Sequence, residues 1–365
     1  MRVGLLICGD LHYPSGGFLY DRMLAEHLRA RGDEVEIFRQ PWGGWRSLAG
    51  NFDSSFLKSL FNSRLDLLLQ DELAHPSLFL LNRKIRRAAL FPVISIVHHL
   101  RSGETLSPWT KPAAAFAERL YLRSVDGFVF NSMATRAAVE NISGSAKPAV
   151  IARPGADRFG KTLSPREITD RCANGKSLEI LFVGSVIPRK GLHVLISALR
   201  ELRGETWNLT VAGDNSLSPS YTSSLMRLIN RLGIDPQVRF TGRIDDSRLA
   251  GLFADSHLLV VPSELEGYGI VYGEAGAFGV PAIATDCGAP AELISHGVNG
   301  FLIKPGDYPG LTACIQSLLW DRERLLSLSL AARRRFDSLP GWNESMAVAA
   351  GFLTGQALSY AASRR

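Results

Sequence analysis

No segment of this sequence reaches the roughly 20 consecutive apolar residues needed to cross a bilayer. The opening run from Val3 to Cys8 is closed by Asp10, too short for the apolar stretch of a secretion signal. The expected location is therefore cytoplasmic. Cysteine is sparse as well: Cys8, Cys172, Cys287 and Cys314 lie far apart with no C-x-x-C pair, so neither a zinc site nor a disulfide framework is indicated. Two signatures are missing, G-x-G-x-x-G after the first strand and the G-x-S-x-G nucleophile elbow. Asp-x-Asp is absent, which argues against a metal-held sugar nucleotide, and neither a metal nor a cofactor is expected. Zinc-finger, helix-turn-helix and aromatic RNA-binding patterns are missing too, so nucleic acid is not an expected partner.

What is present is the composition of a globular protein, 46% hydrophobic and 21% charged over 365 residues, too long for one ordinary core. A net charge of +6 with a pI near 9.2 favours anionic partners: nucleotides, phosphorylated lipids or acidic membrane surfaces.

Short apolar runs alternate with amphipathic stretches throughout, the pattern of repeated βα units on parallel sheets. Strands are expected at Val3 to Cys8, Glu34 to Phe38, Leu65 to Leu69, Val93 to Val97, Gly127 to Phe130 and Ala149 to Ala152. A second series follows at Leu178 to Val183, Asn208 to Ala212, Val238 to Thr241, Leu258 to Val261, Pro281 to Ala284 and Gly300 to Ile303. Between the two series, glycine, proline and charge break the rhythm. The reading is an α/β chain of two doubly wound, Rossmann-like domains with a ligand crevice between the carboxyl ends of their strands. Their expected bounds are 1–160 and 177–341, with a linker at 161–176 and a helical tail at 342–365 that returns to the first domain.

In "GDLHYPSGGFLYDRMLAEHLRARG" the first strand runs into Gly16 and Gly17 and then a helix. Paired glycines permit close backbone approach, and a helix N-terminus suits an anion; a tight turn that binds nothing explains them equally well. In "ILFVGSVIPRKGLHVLISALREL" a strand, a loop with Arg189 and Lys190, and a helix follow one another. Two cations at such a junction can neutralise a diphosphate, where a solvated basic loop is the bland alternative.

The stretch "PSELEGYGIVYGEAGAFGVPAIATD" carries two glutamates, Glu266 and Glu274, around a glycine-rich turn. It resembles the E-x7-E signature of retaining glycosyltransferases with the two-domain GT-B fold, specifically glycosyltransferase family 4. The FVG…RKG loop, VAGD, FTGRI, GVNGFLI, the N-terminal GG turn and the VHH after the fourth strand occur in the family's order. The resemblance covers nearly the whole chain.

It implies a metal-independent transfer of a hexosyl group, with retention, from a UDP-, GDP- or ADP-sugar to a hydroxyl of a glycan, lipid-linked or small-molecule acceptor. Glu274 would hold the ribose hydroxyls, since a carboxylate accepts from both hydroxyls of a diol. Glu266 and the backbone of Gly267, Tyr268 and Gly269 would hold the transferred sugar. Lys190, with Arg189, would face the donor diphosphate. Gly16 and Gly17 belong to the same expected donor set. Ser185 stands where the family commonly has an arginine, and Arg189 is the candidate to replace that charge. His98 matches the family histidine near sugar and acceptor, with His99 adjacent. Asp214, Arg243 and Ile244 fall on loops expected near the nucleotide. A retaining glycosidase using the two glutamates and a catalytically silent sugar-nucleotide-binding protein are the competing readings.

Finally, "FLLNRKIRRAALF" places Arg83, Lys84, Arg86 and Arg87 in one helical pattern with apolar borders, and Trp42, Trp45, Phe52 and Phe56 lie nearby in sequence. Residues 83–91 are a candidate for peripheral docking on an anionic membrane at its inner face, against the alternative of a core helix with a charged outer face.

Overall fold

The computed structural model describes residues 1–40, 48–88, 90–104, 109–144, 147–174, 177–202 and 204–364. The chain forms two compact units: Met1–Pro154 with Gly341–Arg365, and Gly155–Pro340.

The first unit is built from β1 (Arg2–Cys8), α1 (Gly16–Ala30), β2 (Glu34–Gln40), α2 (Ser54–Asn62), β3 (Leu67–Asp71), α3 (His75–Leu78), α4 (Leu81–Ala88), β4 (Val93–Val97), α5 (Lys111–Ser124), β5 (Gly127–Phe130), α6 (Met133–Ser143) and β6 (Ala149–Ile151). Its six strands pair in parallel in the order β2-β1-β3-β4-β5-β6. Every residue of β3, β4 and β5 is buried, as expected of a parallel sheet covered on both faces. The order reverses between β1 and β3, so the loops leaving those strands diverge there.

The second unit comprises α7 (Pro165–Ala173), β7 (Leu178–Val183), α8 (Leu192–Arg200), β8 (Trp207–Ala212), α9 (Pro219–Leu232), β9 (Val238–Gly242), α10 (Asp246–Asp255), β10 (Leu258–Val261), α11 (Ile270–Ala277), β11 (Ala282–Thr285), β12 (Gly300–Ile303), α12 (Tyr308–Trp320) and α13 (Arg322–Asp337). Its parallel order is β12-β11-β10-β7-β8-β9, with the reversal between β7 and β10. A final helix, α14 (Trp342–Ala362), packs on α1 and β6 of the first unit, where Trp342 meets Tyr20 edge-on at 6.1 Å.

The segment 161–176, read from sequence as a linker, instead carries α7. Ser164 and Glu167 close a capping box at its start, Ile168 and Cys172 are buried, and Arg171 donates to the carbonyls of Phe278 and Gly279. Its proline and charges resembled a connection because the helix is short and buries only one narrow stripe.

Candidate active site

In a doubly wound sheet the loops leaving the two strands at the reversal are the natural ligand position. In the second unit those loops follow β7 and β10, and they are stitched together. Glu264 N–H donates to Arg189 O at 2.8 Å, and Arg189 Nη1 donates to Leu265 O at 2.9 Å. Lys190 Nζ lies 2.6 Å from Glu266 Oε2, which also accepts from Ser263 Oγ at 3.0 Å. Gly191 opens α8 at φ +71°, and a Cβ there would sit 2.0 Å from Pro262 O. Only glycine lets the two loops run this close.

Burial pushes the Glu266 carboxyl up, but the charges of Lys190 and Arg189 outweigh it and hold the group below its ordinary value. Tyr268 is buried, and Gly269 caps α11 at φ +84°, with the Tyr272 ring 2.3 Å from where a Cβ would stand. One turn into α11, Glu274 is buried beside Arg158, whose Nε lies 3.1 Å from Oε1. There burial wins over the Arg158 charge, Asp246 adds to it, and the carboxyl is pushed up to about 7. A retaining glycosidase would set two such carboxyls to work on one bond; here each is held by a cation of its own.

Asp214 and Arg243, named separately from sequence, are brought together: Arg243 Nε donates to Asp214 Oδ2 at 3.0 Å, and Gly213 N–H donates to Gly242 O. Ile244 follows, half-buried, and Ser185 is half-buried in the β7 loop. In the first unit, Gly16 and Gly17 open α1 beneath Ser15, whose hydroxyl accepts from Phe18 N–H. A Cβ on Gly17 would stand 3.1 Å from His98 Cδ2, so the helix start and the histidine touch. His98 Nε2 is 3.0 Å from Asp21 Oδ1, whereas His99 Nε2 pairs with Glu104 at 2.8 Å.

Among the described residues, two buried groups of the first unit bring potential ligand atoms within 4.8 Å of one another: Asp21 with Asp71 and His98, and Glu72 with His75 and Glu118. Both read as ion pairs. His75 Nδ1 lies 2.9 Å from Glu72 Oε1, and Glu118 accepts from Arg101 N–H and from Ser102.

The family model "Glycosyl transferases group 1" matches residues 166–335. A GDP-mannose-dependent alpha-(1-6)-phosphatidylinositol monomannoside mannosyltransferase of Mycobacterium tuberculosis is 27% identical over 290 residues, covering 76% of this chain and 73% of that protein. The fold is shared with sucrose-phosphate synthase from Thermosynechococcus elongatus, TM-score 0.83 at 20% identity over 98% of this chain and 99% of that one. Anabaena HepE in complex with UDP-glucose gives a TM-score of 0.76 at 23% identity over 97% and 100%. The chain is a glycosyltransferase whose second unit carries the group 1 family domain.

Sequence reasoning passed over three residues of this glycosyltransferase that the structure sets beside the candidates: Arg158, Asp21 and Asp71. Arg158 sits among turn residues just before the expected linker, where no periodicity marks it. Its surroundings, Gly155 to Thr162, also spell G-x-x-x-x-G-K-T, the spacing of a nucleotide phosphate loop. They do not build one. Lys161 and Thr162 are exposed, α7 begins only at Pro165, which has no N–H, and the Glu167 N–H is already served by the Ser164 hydroxyl. Asp21 and Asp71 look in sequence like ordinary acids of a helix and a strand end. Their burial against His98 is a tertiary fact.

Proposed function

We propose that this glycosyltransferase binds the nucleoside diphosphate of its sugar donor in the second unit and transfers a hexosyl group, with retention and without an obligatory metal, to a hydroxyl of a lipid-linked or glycan acceptor. The observation that carries the reading is the Lys190–Glu266 pair at the strand-order reversal. In the free protein the two neutralise each other. A donor would separate them, with its diphosphate on Lys190 and its hexose hydroxyls on Glu266. As the glycosidic bond breaks, charge grows on the leaving phosphate, and a cation already fixed in place stabilises it without reorganisation. The attacking hydroxyl's proton goes to that phosphate oxygen. Glu274 would then hold the ribose diol, with Arg158 keeping it oriented.

The donor classes to try first are GDP- and UDP-sugars, because the mycobacterial relative is named for GDP-mannose and HepE was solved with UDP-glucose. The named phosphatidylinositol mannoside acceptor of that relative favours a lipid-linked acceptor here. An anionic membrane surface fits this. Arg83, Lys84, Arg86 and Arg87 of α4 are exposed, and Trp109 and Phe116, at the start and on the outer side of α5, are 91% and 64% exposed. Leu81 and Ile85 of α4 and Phe91 after it are buried in the core and Phe56 packs on Phe38, so of the large apolar residues of 83–91 Leu90 alone is exposed. Phe52 is exposed, and Trp42 and Trp45 lie outside the described residues. Among the described residues no helix is long and apolar enough to cross a membrane.

The test is thermal shift against UDP, GDP, ADP and their sugar conjugates with EDTA present, comparing wild type with Glu274→Ala. A shift for one nucleotide family that the substitution removes supports the site. Absence of a shift with every nucleotide, or a shift that appears only with added metal, sinks the corresponding part. The anomeric configuration of the product, read by proton NMR, decides retention.

A further inference from the structure

His98 stands at the end of β4 inside an acidic pocket of the first unit. Asp21 on α1 holds its Nε2 at 3.0 Å, and Asp21 and Asp71 are fully buried. The ring is held from other sides as well. The Gly17 backbone lies against it, Tyr20 meets it edge-on at 5.3 Å, and Asn131 Nδ2 donates to its backbone carbonyl at 2.8 Å. His98 Nδ1 has no hydrogen-bond partner among the described residues, and the side chain is 8% exposed. We propose that Asp21 is a positioning residue that binds His98 through Nε2 and keeps the ring a charged donor, so that Nδ1–H is offered to a sugar, phosphate or acceptor oxygen and His98 does not serve as the base. This inference rests on the glycosyltransferase site proposed above.

The surroundings of the ring agree. Burial first, then the Asp21 charge, pushes the Asp71 carboxyl up and favours its neutral form. Asp21 Oδ2 and Asp71 Oδ2 lack a hydrogen-bond partner among the described residues. A buried imidazolium needs a partner of opposite sign, and the Asp21–His98 contact supplies that pairing. Burial works against the imidazolium, but the Asp21 charge and hydrogen bond, with Asp71 and Glu72 behind them, outweigh it and push His98 up to about 9. The titratable groups around the ring are therefore Asp21 and Tyr20 from α1, and Asp71 and Glu72 from the end of β3, with Cys8 of β1 facing Asp71. Tyr20 and Cys8 are both raised, by burial first, and stay neutral.

A cation cannot accept the acceptor hydroxyl's proton. The O–H bond that breaks must then give its proton to the leaving phosphate oxygen, while the anomeric carbon exchanges its bond to that oxygen for one to the acceptor.

The experiment is nitrogen-15 to proton correlation of the histidine rings from pH 5 to 10, with His98 assigned by its loss in His98→Gln, on wild type, Asp21→Asn and Asp21→Glu. The wild-type ring should remain imidazolium through pH 8. In Asp21→Asn its transition should fall by at least one pH unit, and Asp21→Glu should restore most of it. Asp21→Asn should also lower kcat more than it raises donor KM, with the loss deepening as pH rises through the new transition. A neutral His98 at pH 7 in wild type overturns the inference, even if every variant fails to fold. So does a folded Asp21→Asn whose ring titrates as before, or a stoichiometric divalent ion bound at the pocket. If wild type shows the charged ring but neither binds nor turns over any sugar nucleotide, the functional reading fails and the Asp21–His98 pairing stands.

Discussion

Lys190 Nζ and Glu266 Oε2 lie 2.6 Å apart although 76 residues separate them in the chain. Removing either strips the other, half-buried charge of this partner, which costs more than the pair's net worth. Lys190→Ala should lower kcat by roughly 100- to 1,000-fold, the scale of losing one preorganised donor to developing charge, as measured by initial rates at saturating donor. The lowered Glu266 value adds stability that is present above the ordinary carboxylate range and is lost as pH falls through the depressed folded value. The Tm gap between wild type and Lys190→Ala should therefore shrink on acidification. An unchanged gap from pH 7 to 3 would show that the pairing does not operate in solution.

Glu274 titrates the other way. Its folded value of about 7 lies above the unfolded one, so its contribution to stability is full below the unfolded value and declines as pH rises toward 7. A ribose diol needs the ionised form as acceptor. Nucleotide affinity should accordingly strengthen between pH 6 and 8, and Glu274→Gln should flatten that dependence while weakening binding. Calorimetric titration at three pH values reads both effects.

Gly269→Ala places a Cβ 2.3 Å from the Tyr272 ring at a φ of +84°. Backbone strain of this kind costs about 1–3 kcal/mol, and the clash adds to it. The expected result is a lower Tm and loss of donor binding. Gly267→Ala is the comparison, because no positive φ is recorded there.

Arg189 is engaged with Leu265 O through Nη1, so its substitution acts on the loop as well as on any phosphate. Arg189→Lys keeps the charge and loses the directed planar contact. If the charge is what matters, Arg189→Lys retains donor KM and Arg189→Ala raises it severalfold. Equal effects of both would assign Arg189 to the loop alone.

For the membrane face, flotation with phosphatidylglycerol vesicles should be lost in Arg83→Glu/Arg86→Glu and weakened in Trp109→Ala/Phe116→Ala, with no binding to phosphatidylcholine alone. Salt should weaken it, since the attraction between exposed charges is screened. Equal flotation of wild type and the charge-reversed variant would remove α4 from the interaction.

All twelve expected strands formed, several with the same ends, including Val93–Val97, Gly127–Phe130 and Leu258–Val261. Such runs are legible because a strand buried on both faces is apolar at every position. The helix at 165–173 was not legible. Its nine residues carry one buried stripe and its cap lies among proline and glycine, so the local signal is that of a turn. The membrane reading of 83–91 divided along the same line: alternation within α4 marked an amphipathic helix, but which side met the core depended on where β3 and β4 lay.

By itself, the sequence determined the order of strands and helices, the two α/β units and the family. Those follow from local periodicity and from residues spaced within one turn or loop, such as Glu266 and Glu274. Tertiary structure alone decided who partners whom: Lys190 with Glu266, Arg158 with Glu274, Asp214 with Arg243 and Asp21 with His98. Each of these pairs joins segments distant in the chain, brought together by strand order in a sheet. The protonation of Glu274 and His98 is set by burial and by those partners, neither of which a residue carries in its own neighbourhood of the sequence.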